Sequence, residues 1–219
     1  MQRRSRDIGL VFVGAIFLVA SVICLSTSLV GKSEFRRWEG AASIKEPGDL
    51  QTVGEEGDVV VVGPIAQDAP VAEEGLVLYE RWEHEVEYED GERESHWRHN
   101  YDYDHKPTFE LLFGEREQRM RVHSGFVIFY NPREVMVKEH VKLKGFAPDD
   151  VVTVMGNVQS SADPLTVQAE IICGGERERC MKRLSRSSVG PAIGAALMLL
   201  VGGGLMWLGL KKHKMPAES

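Results

Sequence analysis

The sequence predicts an all-β extramembrane domain, a curled sheet or OB-like barrel, flanked by two transmembrane α-helices. Three observations carry this reading. Apolar runs without a charged residue occupy 8–30 and 189–210. Between them apolar and polar residues alternate with period two, the mark of half-buried strands. No long amphipathic helix interrupts the roughly eight or nine strands read in this way, which points to one all-β domain.

Each apolar run exceeds the roughly 20 residues that a helix needs to cross a bilayer core of about 30 Å. Arg3, Arg4 and Arg6 would also suit a cleaved signal or a lipoprotein signal. The run is longer than the roughly 7–15 residues of a signal h-region, however, and no small-x-small site follows it. Cys24 is preceded by Ile23, where a lipobox needs a small residue. A retained anchor is therefore expected. The tails, 1–7 and 211–219, are basic through those arginines and through Lys211, Lys212 and Lys214, which places them in the cytoplasm and the intervening region outside it. Cations also lie on the other side, at Lys32, Arg36 and Arg37 and at Arg177, Arg179, Lys182, Arg183 and Arg186. Long loops translocate largely regardless of charge, so the short tails decide.

The formal net charge of −7 understates the acidity of the middle, where most of the acid lies between Glu73 and Glu117. Such a surface repels nucleic acid and anionic headgroups at long range, so no nucleic-acid partner is expected. A well-solvated surface explains the acid better than a dedicated face for cations or a basic partner. Of three cysteines, Cys24 lies in the first apolar run, while Cys173 and Cys180 flank a GGERER loop. Gly174 and Gly175 let the chain turn back there, and an oxidising compartment would permit a Cys173–Cys180 disulfide.

Residues 31–48 read as a juxtamembrane linker with a turn at Pro47-Gly48, into which Ser33 to Trp38 could continue the first helix. The β-domain spans 49–173. Its first strand, Asp58 to Val62, is stopped by Gly63-Pro64. In 76–113, Trp82, His84, Val86 and Tyr88 share one parity and Arg81, Glu83, Glu85 and Glu87 the other. After a turn at Asp90-Gly91 the alternation resumes, with Trp97, His99, Tyr101, Tyr103 and His105 set against Arg98, Asn100, Asp102 and Asp104. That is a hairpin. Phe109, Leu111 and Phe113 mark a third strand and Met120 to His123 another. The continuous run Phe126 to Tyr130 reads as a doubly buried strand or as a loop dipping into a membrane surface. Arg133 to Lys144 alternates weakly, and Val151 to Met155 and Leu165 to Ile172 complete the set. EEGDVVVVGPI (55–65) echoes APDDVVTVMGNV (147–158), as though two similar glycine-ended strands closed a small barrel. Residues 174–188 read as a basic linker.

Chemistry-bearing motifs are lacking: no GxSxG, HExxH, GxxxxGKS/T or helix-opening GxGxxG occurs, and no catalytic residue, cofactor or metal is expected. The one constellation to weigh is His96, His99 and His105 with Asp102 and Asp104. Strand parity puts His99 and His105 on one face and His96, Asp102 and Asp104 on the other, so the five do not converge from a regular strand. In the second apolar run Gly190 and Gly194 form a small-xxx-small pair, suited to helix packing within the chain or between copies in a homo-oligomer.

The order DVVVVG (58–63), LVLYERWEHEVEYE (76–89), SHWRHN (95–100), PTFELLFGEREQRMRV (107–122) and KLKGFAPDDVVTVMGNV (142–158) resembles the GIDE domain. That domain lies between two membrane helices in the mitochondrial membrane ubiquitin ligase and its prokaryotic relatives. The match is carried by spaced glycine, aromatic and apolar positions, among them Gly63, Trp82, Trp97, Phe109 and Gly156. The ligase acts through a RING finger after its second helix, whereas only KKHKMPAES follows Leu210 here. The resemblance therefore implies a fold and a two-span topology without ligase chemistry. It points to a non-enzymatic interaction or scaffold module in a bacterial inner membrane, with the bilayer and a membrane or envelope protein as partners. A ligase-type or other enzyme component is the second reading.

Overall fold

The structure is a computed structural model that describes the backbone of residues 2–89 and 92–213, and the side chains of residues 11–88, 92–186 and 192–208 within that range. It divides into two compact units, one made of Met1–Arg36 with Lys182–Ser219 and the other of Arg37–Met181. The expected turn at Asp90-Gly91 lies outside the described residues.

The second unit is β-rich. Its strands are β1 (Ala42–Ile44), β2 (Asp58–Pro64), β3 (Leu78–Glu89), β4 (Glu92–His99), β5 (Phe109–Phe113), β6 (Gln118–His123), β7 (Ile128–Tyr130), β8 (Arg133–Lys138), β9 (Val141–Phe146), β10 (Val151–Ser160) and β11 (Thr166–Gly174). One sheet runs β1-β2-β10-β11-β6-β5, with β7 added to β11. An antiparallel bridge from Ile65 to Leu111 and the Ala66 N–H to Glu110 carbonyl bond, 2.9 Å, join its far strand β5 back to the β2 end. The sheet is thus a closed barrel of β2, β5, β6, β10 and β11. Numbered one to five along the chain, these strands neighbour each other in the order one-two-three-five-four-one, with only the third and fifth parallel. That is the strand order of an OB barrel, a five-stranded Greek-key closure.

Sequence explains the closure locally. Val59 and Val61 face the barrel interior with Leu111, Met120, Val122, Val154 and Val167, all buried. Val60 points the other way and is also fully buried, opposite Met155, which is paired in turn with Ile171. A strand covered on both faces reads as a continuous β-branched run, which is what DVVVV is. Two glycines permit close backbone approach. A Cβ at Gly63 would run into the Leu112 carbonyl oxygen where β2 meets β5, and one at Gly156 into that of Gln168, at the register shift between Met155 and Gly156. The two echoed segments are antiparallel neighbours, Gly63 opposite Val152 and Gly156 opposite Val59.

The remaining strands form a four-stranded wing, β4-β3-β9-β8. It is assembled from two insertions, the β3–β4 hairpin between the first and second barrel strands and β8–β9 between the third and fourth. β3 starts in the core, where Leu76, Val77 and Leu78 are buried, and leaves it: from Arg81 to Tyr88 no residue is buried.

Helix is not confined to apolar runs. The expected linker 31–48 contains the end of α1 (Gln2–Gly40), then β1 and the start of α2 (Pro47–Val53). Pro47 suits the first turn of α2, and the Asp49 carboxylate accepts the Lys45 and Glu46 N–H groups at 2.8 and 2.9 Å. The expected basic linker 174–188 is helical from Arg177, the start of α3 (Arg177–His213). The Arg177 guanidinium donates to the carbonyls of Trp38, Glu39 and Ala41, satisfying acceptors at the end of α1.

In the other unit, α1 and α3 pack where both lack side chains. A Cβ at Gly14 would lie 2.7 Å from Met206 Cγ and 2.9 Å from the Gly202 carbonyl oxygen, and one at Gly202 3.0 Å from that of Gly14. Seven residues away on each helix, Ser21 and Ala195 are fully buried. Helices approach closely through such small residues. Among the described residues one helix, Val11–Gly40, is long and apolar enough to cross a membrane, and Ala192–Leu208 is a shorter apolar helix.

Candidate functional site

The wing is where the chemistry-bearing side chains gather, and register sorts them onto two unlike faces. Trp82 lies opposite His99 and Lys142, and His84 opposite Trp97. Trp82 stacks on His99 with centroids 5.0 Å apart and planes 9° from parallel. Lys144 Nζ sits 4.3 Å over the Trp82 ring and Lys142 Nζ 4.4 Å over that of Trp97, so each indole carries a cation. Both lysines reach Glu134, whose carboxyl is held below the usual range by the Lys144 hydrogen bond. Trp82 Nε1 is buried with no hydrogen-bond partner among the described residues. The face continues outward through exposed Val86, Tyr88 and Met136.

The other face is acidic. Glu85 lies opposite His96 and Glu87 opposite Glu94. Beside them an open groove of about 330 Å³ is lined by Glu83, Glu85, Arg98, Asn100, Tyr101 and Asp102, with His99. Hydrogen bonds from Asn100 and then Arg81 hold the Glu83 carboxyl below its ordinary range.

The histidine and carboxylate constellation weighed from the sequence is distributed over the wing. His99 Nε2 donates to Asp104 at 2.8 Å, and Asp104 also takes Lys106 at 2.9 Å. His105 bridges to Tyr79, and His96 approaches Glu85 at 3.9 Å. The parity argument needs correction at Asp104. The strand ends at His99, and the 3-10 turn Tyr101–Tyr103 folds Asp104 back onto the face that regular alternation denied it. Among the described residues the set that brings metal-ligating atoms within 4.8 Å of one another is instead Glu85, Glu87 and His96. Arg98, 3.3 Å from Glu85, already offsets part of that charge. Lys142, Lys144 and Glu134 were not singled out from sequence, although the shared parity of Lys142 and Lys144 in VKLKGF was available.

The other sequence-derived positions are structural. Phe109 is in the barrel core, Gly63 and Gly156 are at its seams, and Trp82 and Trp97 are half-buried in the wing. Cys173 and Cys180 are both buried, and no disulfide joins them in this structure. They are brought together as their spacing implies: the hydrogen bond with Cys173 and burial push the Cys180 thiol far up. Among the described residues nothing lies within 4 Å of a Cβ at Gly194, whereas Gly14 and Gly202 are in contact. The surroundings of Gly190 lie outside the described residues. Phe126 to Tyr130 is not a doubly buried strand: only Ile128–Tyr130 pairs, Phe126 is wholly exposed, Val127 is buried in the core and Phe129 packs against it. Comparison of the chain with family models, with curated proteins and with solved structures finds no match.

Proposed function

We propose that this chain is a two-span integral membrane protein of the GIDE-domain kind, with Ile8 to Val30 and Val189 to Leu210 crossing the bilayer, its tails in the cytoplasm and its β-domain outside. In this reading it is a non-enzymatic interaction or scaffold module that presents the wing to a membrane or envelope protein, in a bacterial inner membrane. The observation that carries it is the wing itself. Four strands contributed by two insertions stand outside a barrel that closes without them, and the outer end of the β3–β4 hairpin, at 86–88 and 92–96, is exposed on both faces. Such surface costs solubility and folding specificity unless a partner uses it.

The experiment is photo-cross-linking in intact cells from a probe at Tyr88 or Met136, with reporter fusions after Glu46 and after Ser219 to map topology. A single protein adduct, lost when the wing is charge-reversed at Glu85 and Glu87, together with opposite reporter signals, is expected. Turnover of a charged ubiquitin carrier by the isolated protein would overturn the non-enzymatic assignment.

A further inference from the structure

The cations that break the charge asymmetry of a two-span protein are arranged in a pattern that the interaction reading does not use. On α3, Lys182, Arg183 and Arg186 are exposed, and Ile193, Leu197, Leu200 and Val201 follow Arg186 by 7, 11, 14 and 15 residues. At about 100° per residue all seven fall within a sector of roughly 100°. On α1 the same pattern runs the other way. Arg36 and Lys32 are exposed, and Leu29, Leu25 and Val22 precede Arg36 by 7, 11 and 14 residues, within a sector of about 80°. The apolar members of both faces are exposed, Leu29 by 67% and Leu200 by 75%. Among the described residues each helix thus has one face that is apolar along the membrane-compatible stretch and cationic beyond it.

We infer that Lys32 and Arg36 on α1, with Lys182, Arg183 and Arg186 on α3, form a collar that binds the headgroups of anionic phospholipids. The inference rests on the two-span reading. Lys32 and Arg186 lie within about 5 Å of helix rise of the apolar boundaries at Val30 and Val189, and Lys182, Arg183 and Arg36 within about 11 Å. The headgroup zone is about 5–7 Å deep on each side, and long basic side chains bend toward it while their stems cover apolar surface. In 31–36 and 182–188 these five cations stand against one carboxylate, Glu34. A phosphodiester monoanion without a compensating amine offsets that charge. A lipid is favoured over a free anion because the cations share their face with the acyl-facing residues. Each cation beside an anionic surface strengthens attachment about fivefold.

The test uses the full chain, delipidated in a neutral detergent, with native mass spectrometry of retained phosphatidylglycerol and phosphatidylcholine. Wild type is expected to prefer phosphatidylglycerol by at least about tenfold, with the preference falling as salt rises. Lys32→Gln, Arg36→Gln, Lys182→Gln, Arg183→Gln and Arg186→Gln combined should abolish the preference. The charge-keeping set Lys32→Arg, Arg36→Lys, Lys182→Arg, Arg183→Lys and Arg186→Lys should retain it. An unchanged preference in the glutamine variant overturns the collar, and so does displacement of the lipid by millimolar inorganic phosphate. So too does the absence of any lipid preference together with cross-linking of Arg183 to the acidic wing of a second copy. Release of the wild-type chain from native membranes by alkaline carbonate would overturn the two-span reading itself. Loss of the preference test with the chain still membrane-integral would overturn the collar alone.

Discussion

Arg37 holds Asp58 through two hydrogen bonds, Nη2 to Oδ1 at 2.6 Å and Nε to Oδ2 at 2.8 Å, and turns Nη1 to Glu170 Oε2 at 2.8 Å. One guanidinium therefore joins the last turn of α1 to the first and fifth barrel strands. The Arg37 hydrogen bond holds the Asp58 carboxyl below its ordinary range. A depressed carboxylate contributes stability that is complete above its unfolded pKa, about 3.9, and is lost as pH falls through its lower folded value. Asp58→Asn should cost about 1 kcal/mol at pH 7, the upper end for a solvent-screened pair. The difference from wild type should shrink below about pH 4. Urea unfolding followed by tryptophan fluorescence from pH 7 to pH 2.5 measures this. A gap that stays constant across the range would mean that Asp58 stabilises the fold by something other than its charge.

Gly63→Ala tests the barrel seam. The added methyl would meet the backbone carbonyl of Leu112, which cannot move aside as a flexible side chain can. Overpacking against backbone costs about 1–3 kcal/mol and sometimes more, so a loss of at least about 2 kcal/mol is expected. Gly203→Ala is the control, because nothing lies within 4 Å of a Cβ there. Equal melting temperatures for the two variants would show that β2 and β5 do not close the barrel at Gly63.

Much of this architecture is legible in the sequence because it depends on local pattern. The unbroken DVVVV run declares a strand buried on both faces, and period two places Trp82 with His84, and Trp97 with His99, on common faces. What stays hidden is pairing between distant segments. Nothing near Phe126 says that only Ile128 to Tyr130 will meet β11, so the apolar run looks like a buried strand when its first residue is solvent-exposed. Nothing in the alternation of Tyr101 and Tyr103 says that the strand stops at His99, and this turn is what sets Asp104 against His99. The approach of Gly202 to Gly14 stays hidden for the same reason. Several glycines fit a small-residue motif, and only the packed partner distinguishes Gly202.

The wing should be less costly to damage than the barrel. Leu111 is fully buried in the barrel core, and Leu111→Ala should cost about 2–5 kcal/mol. Trp97 is half-buried beneath Lys142 rather than fully enclosed, so Trp97→Ala should cost about 1–2 kcal/mol, below the range for a buried tryptophan. Glu85→Lys and Glu87→Lys, on the exposed acidic face, should change stability by less than about 0.5 kcal/mol. Chemical unfolding of the four variants gives the order directly. Collapse of the fold in either charge reversal would mean that this face is enclosed rather than open.

Cys173 and Cys180 make a prediction about reactivity. Their contact and burial raise the Cys180 thiol far above the ordinary cysteine range, so the thiolate that attacks an alkylating agent is scarce. In the native protein at pH 8, Cys180 should label at least about 100-fold more slowly than a free cysteine. After unfolding without reductant, both should label completely, because no disulfide joins them in this structure. Mass spectrometry after alkylation of protein taken directly from its membrane separates the outcomes. Labelling of the unfolded chain only after reduction would show that the pair, already side by side, is joined as a disulfide in its native compartment. Rapid labelling of Cys180 in the folded protein would instead mean that α3 does not hold this thiol against β11.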